Sequence, residues 1–248
     1  MNQTYFSVLT ACYNTGEYVR ACVESVLKQN YPRDHFELVC VDDGSTDDSI
    51  VILKSWTGQK GFVTQRTENR GLEAACNLAI SLAKYDRVVR VDADDLLDTD
   101  FLRIMDEAIR RQPEADFYYC KNYVEYYNES EQYPKMLPDF DAEEIFSRGD
   151  FFATGTVYRK VDVLAVGGYP TSIKNCGLEN YYLTLRLLSE GKRGCAVDGA
   201  MFCYRRHHNN MSTIKRDAII NFGKELLGTY GRVYKTNQYH PYGLQLSS

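Results

Sequence analysis

The chain has 248 residues, of which 44% are hydrophobic and 25% charged, and its formal net charge is −5. That length allows one large domain or two small ones with a proper core, and the composition is that of an ordinary soluble globular protein. A pI near 5.5 with scattered basic residues excludes a general nucleic-acid binder, so any phosphate chemistry must use local positive groups or a metal.

Residues 6–10 form an apolar, β-prone run that ends in the turn-prone stretch 13–17. Val19, Cys22, Val23, Val26 and Leu27 fall at i, i+3, i+4, i+7 and i+8, which predicts a helix, and Pro32 stands just beyond it. Residues 36–41 are a nearly continuous apolar run, as a strand covered on both faces requires. The polar stretch "DDGSTDDS" follows, with Ser45 to Asp48 suited to capping a helix over 49–55. A strand over 62–65, a helix on the stripe Leu72, Ala75, Cys76, Ala79, Ile80 and Ala83, and the strand "RVVRV" over 87–91 complete a βαβαβ order. That order predicts an α/β fold with a mostly parallel, Rossmann-like sheet flanked by helices. The loops after Thr10, Val41 and Val91 then open on one edge, where such sheets bind ligands.

The second half is less regular. Strands are expected over 116–123 and 155–159, and Pro134 and Pro138 make the aromatic stretch between them a loop or lid. A short helix over 160–166, an amphipathic helix over 178–188, a strand over 201–205 and a terminal helix over 213–230 follow. No repeat or linker divides the chain. The expected organisation is one domain over 1–212, with a nucleotide half to about residue 115 and an acceptor half beyond it, then a helix and tail over 213–248.

The eight cysteines form no C-x-x-C pair, and several lie in apolar runs, so they read as buried hydrophobes in a reducing compartment. No apolar run approaches the roughly 20 residues of a membrane span. The N-terminus lacks the basic and apolar regions of a signal peptide. The expectation is a cytoplasmic protein, with peripheral membrane contact through the tail left open.

The sharpest chemical signal is Asp92-Ala93-Asp94-Asp95 at the end of "RVVRV". Carboxylates so close together repel one another, which a hard divalent cation would relieve. Read alone, the stretch is equally a solvated acidic turn before the helix at Phe101. Asp42-Asp43-Gly44-Ser45, at another strand end, reads alone as an Asx turn with Gly44 at positive φ. Two acidic strand ends on one edge of a sheet argue for a pocket, because burying unpaired charge is costly.

The ordered set "SVLTACYN", "VDDGSTDDS", "ENRGLEAACN", "VDADD", "GGY" and "YRRHHNNMS" resembles the family 2 glycosyltransferases with the GT-A fold, from about Phe6 to Ser212. The resemblance implies an inverting, metal-dependent transferase that moves a sugar from a nucleotide diphosphate, commonly of uridine, to an acceptor hydroxyl of a glycan or lipid-linked substrate in polysaccharide synthesis. It places Thr10, Tyr13, Asp42, Asp43, Arg70, Gly71 and Asp92 around the nucleotide. Gly168 and Tyr169 would face the donor sugar, and Asp94, Asp92 and His207 would hold Mn²⁺ or Mg²⁺. His208 is left without a role.

Two departures stand out. The family's Ala-Arg-Asn triplet is here Ala75-Cys76-Asn77, so an arginine is missing. The family's Glu-Asp at the start of a helix is here Glu179-Asn180, and an amide has no useful basicity. Glu179, Asp150 or Asp198 must then serve as the base, or the chain binds sugar nucleotide or glycan without transferring it. A nucleotidyltransferase would need a glycine-rich, basic loop after the first strand, and "TACYNTGEYVR" is not one. The tyrosines of 117–133 suit either an acceptor platform or ordinary packing. Tyr230, Tyr234, Tyr239 and Tyr242 in the tail suit either the acceptor site or a second subunit in a homo-oligomer.

Overall fold

The computed structural model describes residues 3–148 and 154–233. Its first half alternates strand and helix: β1 (Phe6–Cys12), α1 (Val19–Leu27), β2 (Phe36–Asp42), α2 (Ser49–Lys54), β3 (Phe62–Arg66), α3 (Leu72–Leu82) and β4 (Arg87–Arg90). These strands lie in the order β3-β2-β1-β4, all parallel. Every residue of β2 is buried, since helices cover both faces and leave no solvent side for alternation. Register sets the site: Cys12 pairs Asp42 while Leu9 pairs Arg90, so β1, β2 and β4 run out side by side.

Beyond β4 the sheet becomes mixed. The two-residue β5 (Leu96–Leu97) and α4 (Phe101–Arg111) lead into a long hairpin, β6 (Phe117–Asn128) and β7 (Glu131–Met136). Then come α5 (Ala142–Arg148), β8 (Val157–Arg159), α6 (Lys160–Ala165), α7 (Glu179–Ser189), β9 (Gly194–Arg205), α8 (Met211–Ile214) and α9 (Arg216–Gly228). The described residues thus form one nine-stranded sheet that continues β4-β8-β6-β9-β5, with β7 on the outer side of β6. The α/β fold with a largely parallel first half is as expected.

Two expectations are corrected here. The aromatic stretch predicted as a loop or lid is the hairpin β6–β7 followed by α5. Pro134 fits because β7 is an edge strand, exposed along its whole length, where a missing N–H costs little. The terminal helix is broken at Lys215 into α8 and α9. The expected division at residue 212 cuts through α8, and α9 buries Ile219, Leu226 and Leu227 in the same core as the sheet.

All eight cysteines are free, and all but Cys203 are buried. Among the described residues no helix is long and apolar enough to cross a membrane.

Candidate active site

The loops after β1 and β2 are laced together before either reaches a ligand. Asn14 stands at φ 52 and its side-chain oxygen accepts from Thr46 N at 2.8 Å. Ser45 Oγ accepts from Asn14 N at 3.0 Å and Ser49 Oγ from Thr15 N at 2.9 Å. Asp47 takes Gly16 N at 2.8 Å and Ser49 N at 3.0 Å. The polar residues expected to cap α2 thus mostly tie down the first loop instead.

Asp43 is 3% exposed, and its two oxygens accept from Arg70 N at 2.9 Å and Gly71 N at 2.8 Å. It shapes the loop before α3 and keeps one lone pair on each oxygen for a ligand. Gly44 does adopt a positive φ, 79°, and a Cβ there would lie 2.9 Å from Asn69 N. Asp43 and the half-exposed Tyr13 line a cavity of about 290 Å³ at the carboxyl edge of the sheet. Asp42 and Thr10 do not line it. Both are fully buried, and Asp42 turns to Ser45 N and to Arg66, whose Nε is 3.4 Å away. Arg70 contributes its backbone, with an exposed side chain.

The acidic turn after β4 forms the cavity's second wall, with Asp92 and Asp94 on its lining. Asp95 lies behind them, fully buried, accepting from Thr154 Oγ1 at 2.5 Å and Arg205 N at 3.0 Å. Burial, then the charges of Asp94 and Asp92, push its carboxyl well above the usual range. Burial also pushes Asp92 up; Arg90 opposes that rise, and Asp94 and Glu179 add to it.

The end of β9 folds over this turn. Arg205 Nε donates to Asp94 O at 2.8 Å, and its guanidinium lies 5.2 Å from the rings of both Tyr18 and Tyr126. His207 stacks on Tyr18 at 4.6 Å and sets its Nε2 3.0 Å from Asp94 Oδ2, while its Nδ1 is buried without a partner. The Asn210 Nδ2 lies 3.2 Å from His207 Nε2, and Asn210 Oδ1 accepts from His207 N at 2.7 Å. The structure therefore brings His207 to Asp94 as expected, and leaves His208 exposed.

The third wall is the start of α7. Glu179 is 5% exposed and lines the cavity. Its Oε1 accepts from Arg90 Nη1 at 2.7 Å, and its Oε2 is buried with no hydrogen-bond partner. Asn180 Oδ1 accepts from Arg90 Nη1 at 3.3 Å and Tyr169 OH at 3.2 Å, so two donors fix which way the amide faces. Gly168 and Tyr169 do not line the cavity but sit one layer behind it. Asn77 clasps Tyr169 by its N–H and carbonyl, both at 2.9 Å, and a Cβ on Gly168 would lie 2.5 Å from Asn77 Oδ1. Asp198 is exposed on β9, away from the lining, and Asp150 lies outside the described residues.

Several participants carried no motif. Glu73 accepts from Asn175 N at 2.8 Å and Cys176 N at 2.7 Å, drawing the segment 170–178 across the cavity mouth. The thiol of Cys176 lies near both Glu73 and Glu179; burial first, then Glu179, pushes it up, so it stays protonated between them. Ile219 of α9 closes the far side, against Gly177. Arg90 is the only lysine or arginine on the described lining. Its signal was visible as an arginine, buried next to the acidic turn, in a strand whose other arginine, Arg87, is only partly buried.

Comparison with known proteins agrees with this architecture. The chain is 37% identical over 108 residues to Glycosyltransferase GlyG of Streptococcus pneumoniae, a match covering 43% of this chain and 35% of GlyG. The structure superposes on S. aureus TarS 1–349 in complex with UDP-GlcNAc with a TM-score of 0.68 at 20% identity, covering 82% of this chain and 59% of that one. It superposes on the mannosyltransferase PcManGT from Pyrobaculum calidifontis, in complex with GDP-Man and Mn²⁺, with a TM-score of 0.69 at 18% identity, covering 98% and 68%. The chain thus spans about a third of GlyG and under two thirds of the TarS fragment. The sequence model described as "Glycosyl transferase family 2" matches residues 7–167, well over half of the chain. The chain belongs to glycosyl transferase family 2.

Proposed function

We propose that the chain is an inverting glycosyltransferase that moves a sugar from a nucleotide diphosphate, uridine being the first base to test, to an acceptor hydroxyl in surface-glycan assembly at the cytoplasmic face of a membrane. The observation that carries this reading is the convergence of Asp43, Asp92, Asp94 and Glu179 on one cavity at the carboxyl edge of the sheet. The TarS complex with UDP-GlcNAc supports a uridine donor, and the pneumococcal relative supports a bacterial glycan setting.

The residues fit a hard divalent cation. Asp94 Oδ2 and His207 Nε2 meet at 3.0 Å, and Asp95 behind them is pushed up first by burial and then by the charges of Asp94 and Asp92. Asp94 and His207, with Asp92, would hold Mn²⁺ or Mg²⁺, which when bound offsets charge on the departing diphosphate. The protein's own residues do the rest. Asp43 and Tyr13 hold the nucleoside end. The strap over 170–178 and Ile219 exclude water from the sugar. The acceptor oxygen attacks the anomeric carbon opposite the leaving group, so the bond to the diphosphate breaks as the new glycosidic bond forms. The hydroxyl proton passes to Glu179 Oε2, the carboxylate oxygen that has no other partner.

Asn180 favours a second reading, a binder of sugar nucleotides that does not transfer. One experiment addresses both. Thermal unfolding is followed with a panel of nucleoside diphosphates, with and without Mn²⁺, on the wild type and Asp94→Ala. A ligand at a hundredfold excess over its Kd should add about 2.7 kcal/mol of stability. The expected result is a manganese-dependent shift with one nucleotide, lost in Asp94→Ala, followed by transfer from the matching sugar nucleotide. No shift with any nucleotide sinks both readings; a shift without transfer or hydrolysis leaves the binder.

A further inference from the structure

We infer that Arg90 is a positioning residue: it anchors one oxygen of Glu179 so that the other alone meets the acceptor hydroxyl. The inference rests on the reading of Glu179 as the base. Glu179 Oε1 and Arg90 Nη1 form a 2.7 Å ion pair between side chains only 7% and 8% exposed. The remaining oxygen, Oε2, is buried without a donor on a residue that lines the cavity. An unsatisfied buried acceptor costs free energy, and folds rarely keep one without use. Here the geometry leaves one oxygen uncommitted, on a side chain of the cavity wall.

Arg90 is itself held on every side. Its Nε and Nη2 both reach Asp92 Oδ1 at 2.6 Å. Its Nη1 also donates to Asn180, whose oxygen is fixed from the far side by Tyr169 OH. The Tyr169 ring lies 5.8 Å from the guanidinium, and the Tyr169 backbone is clasped by Asn77. On the α3 side stands Cys76, a small thiol pushed up to about 12 by burial, hence neutral, bringing no charge that would compete for the guanidinium. The chain Asn77–Tyr169–Asn180–Arg90 therefore runs from α3 to the carboxylate and ends on it.

Misplacing a reacting group by 1 Å costs about 10²-fold, so the orientation that Arg90 imposes on Glu179 carries the effect. Asn180, an amide with its oxygen already saturated, completes the holder and takes no proton.

The test is a double-mutant cycle on the full chain, using the donor identified by the nucleotide panel. Acceptor kcat and KM, nucleotide affinity and melting temperature are measured for Arg90→Lys, Glu179→Gln and the double variant. Arg90→Lys should lower kcat by about 30–100-fold with acceptor KM and nucleotide affinity within about threefold. In the Glu179→Gln background the same change should alter kcat by less than about twofold. Equal losses in both backgrounds, or no loss in Arg90→Lys beside an inactive Glu179→Gln, overturn the positioning role and leave the base standing. Full turnover in Glu179→Gln overturns the base and this inference with it. If Arg90→Lys folds poorly, Arg90→Ala with added guanidinium ion replaces it. Rescue of at least about tenfold, absent when Glu179→Gln is also present, is expected, and rescue in both backgrounds refutes the coupling.

Discussion

Asn180→Asp places a carboxylate where the family resemblance implies one, and its effect separates the two candidate base positions. Asn180 Oδ1 already accepts from Arg90 Nη1 at 3.3 Å and from Tyr169 OH at 3.2 Å, and an aspartate oxygen can keep both bonds. A new charge 3.3 Å from the guanidinium gains about 5 kcal/mol at an effective dielectric of 20. Glu179 binds the same nitrogen, so the two carboxylates lie within about 6 Å, and Asp92 on the guanidinium's other edge is within about 8 Å; each repels the newcomer by about 2–3 kcal/mol. Attraction and repulsion nearly cancel. The variant should fold, with its melting temperature changed by only about 2–4 °C for each residual kcal/mol. With Glu179 as the working base, kcat measured by nucleotide release and by sugar transfer should change less than about tenfold. A gain of about 10²-fold or more, the size of a general-base effect, would mean that position 180 lacked its base and that Glu179 is not it.

Gly168→Ala places a methyl 2.5 Å from Asn77 Oδ1 at φ 69° and should destabilise the fold by about 1–3 kcal/mol in urea unfolding; an unchanged midpoint would show that the Asn77 clasp on Tyr169 is dispensable. Glu73→Gln leaves one of two backbone N–H groups facing an amide donor instead of a carboxylate, a loss of about 1.5–3 kcal/mol. The segment 170–178 should then be cut faster in limited proteolysis and nucleotide affinity should fall, whereas unaltered cleavage would rule out Glu73 as its anchor.

The first half of the chain was legible because its signals are local. The full burial of β2 and the 3.6-residue stripe of α3 each follow from one period, and the acidic loops mark where strands end. Pairing decided what was missed. Pro134 argues against a strand unless the strand lies at an edge, and edge position belongs to the finished sheet. The face of α9 that carries Ile219 is periodic in sequence, but nothing in the period says that it packs against Gly177 at the mouth of a cavity.

The same limit explains why Thr10, Asp42, Gly168 and Tyr169 stand one layer off the cavity lining. Each stands beside a residue that lines the cavity or touches one that does. Thr10 and Asp42 still lie inside β1 and β2, buried in the sheet, whereas Tyr13 and Asp43 come just past the strand ends, where the chain reaches the cavity. Arg90 obeys the complementary logic. A cation in a strand such as "RVVRV" is costly to bury unless anions from elsewhere meet it. Asp92 is two residues away and foreseeable as a partner, but Glu179 comes from 89 residues along the chain. A charged residue inside an apolar strand that ends in an acidic turn is therefore a sequence-level pointer to a distant carboxylate, and here that carboxylate is Glu179 on the cavity wall.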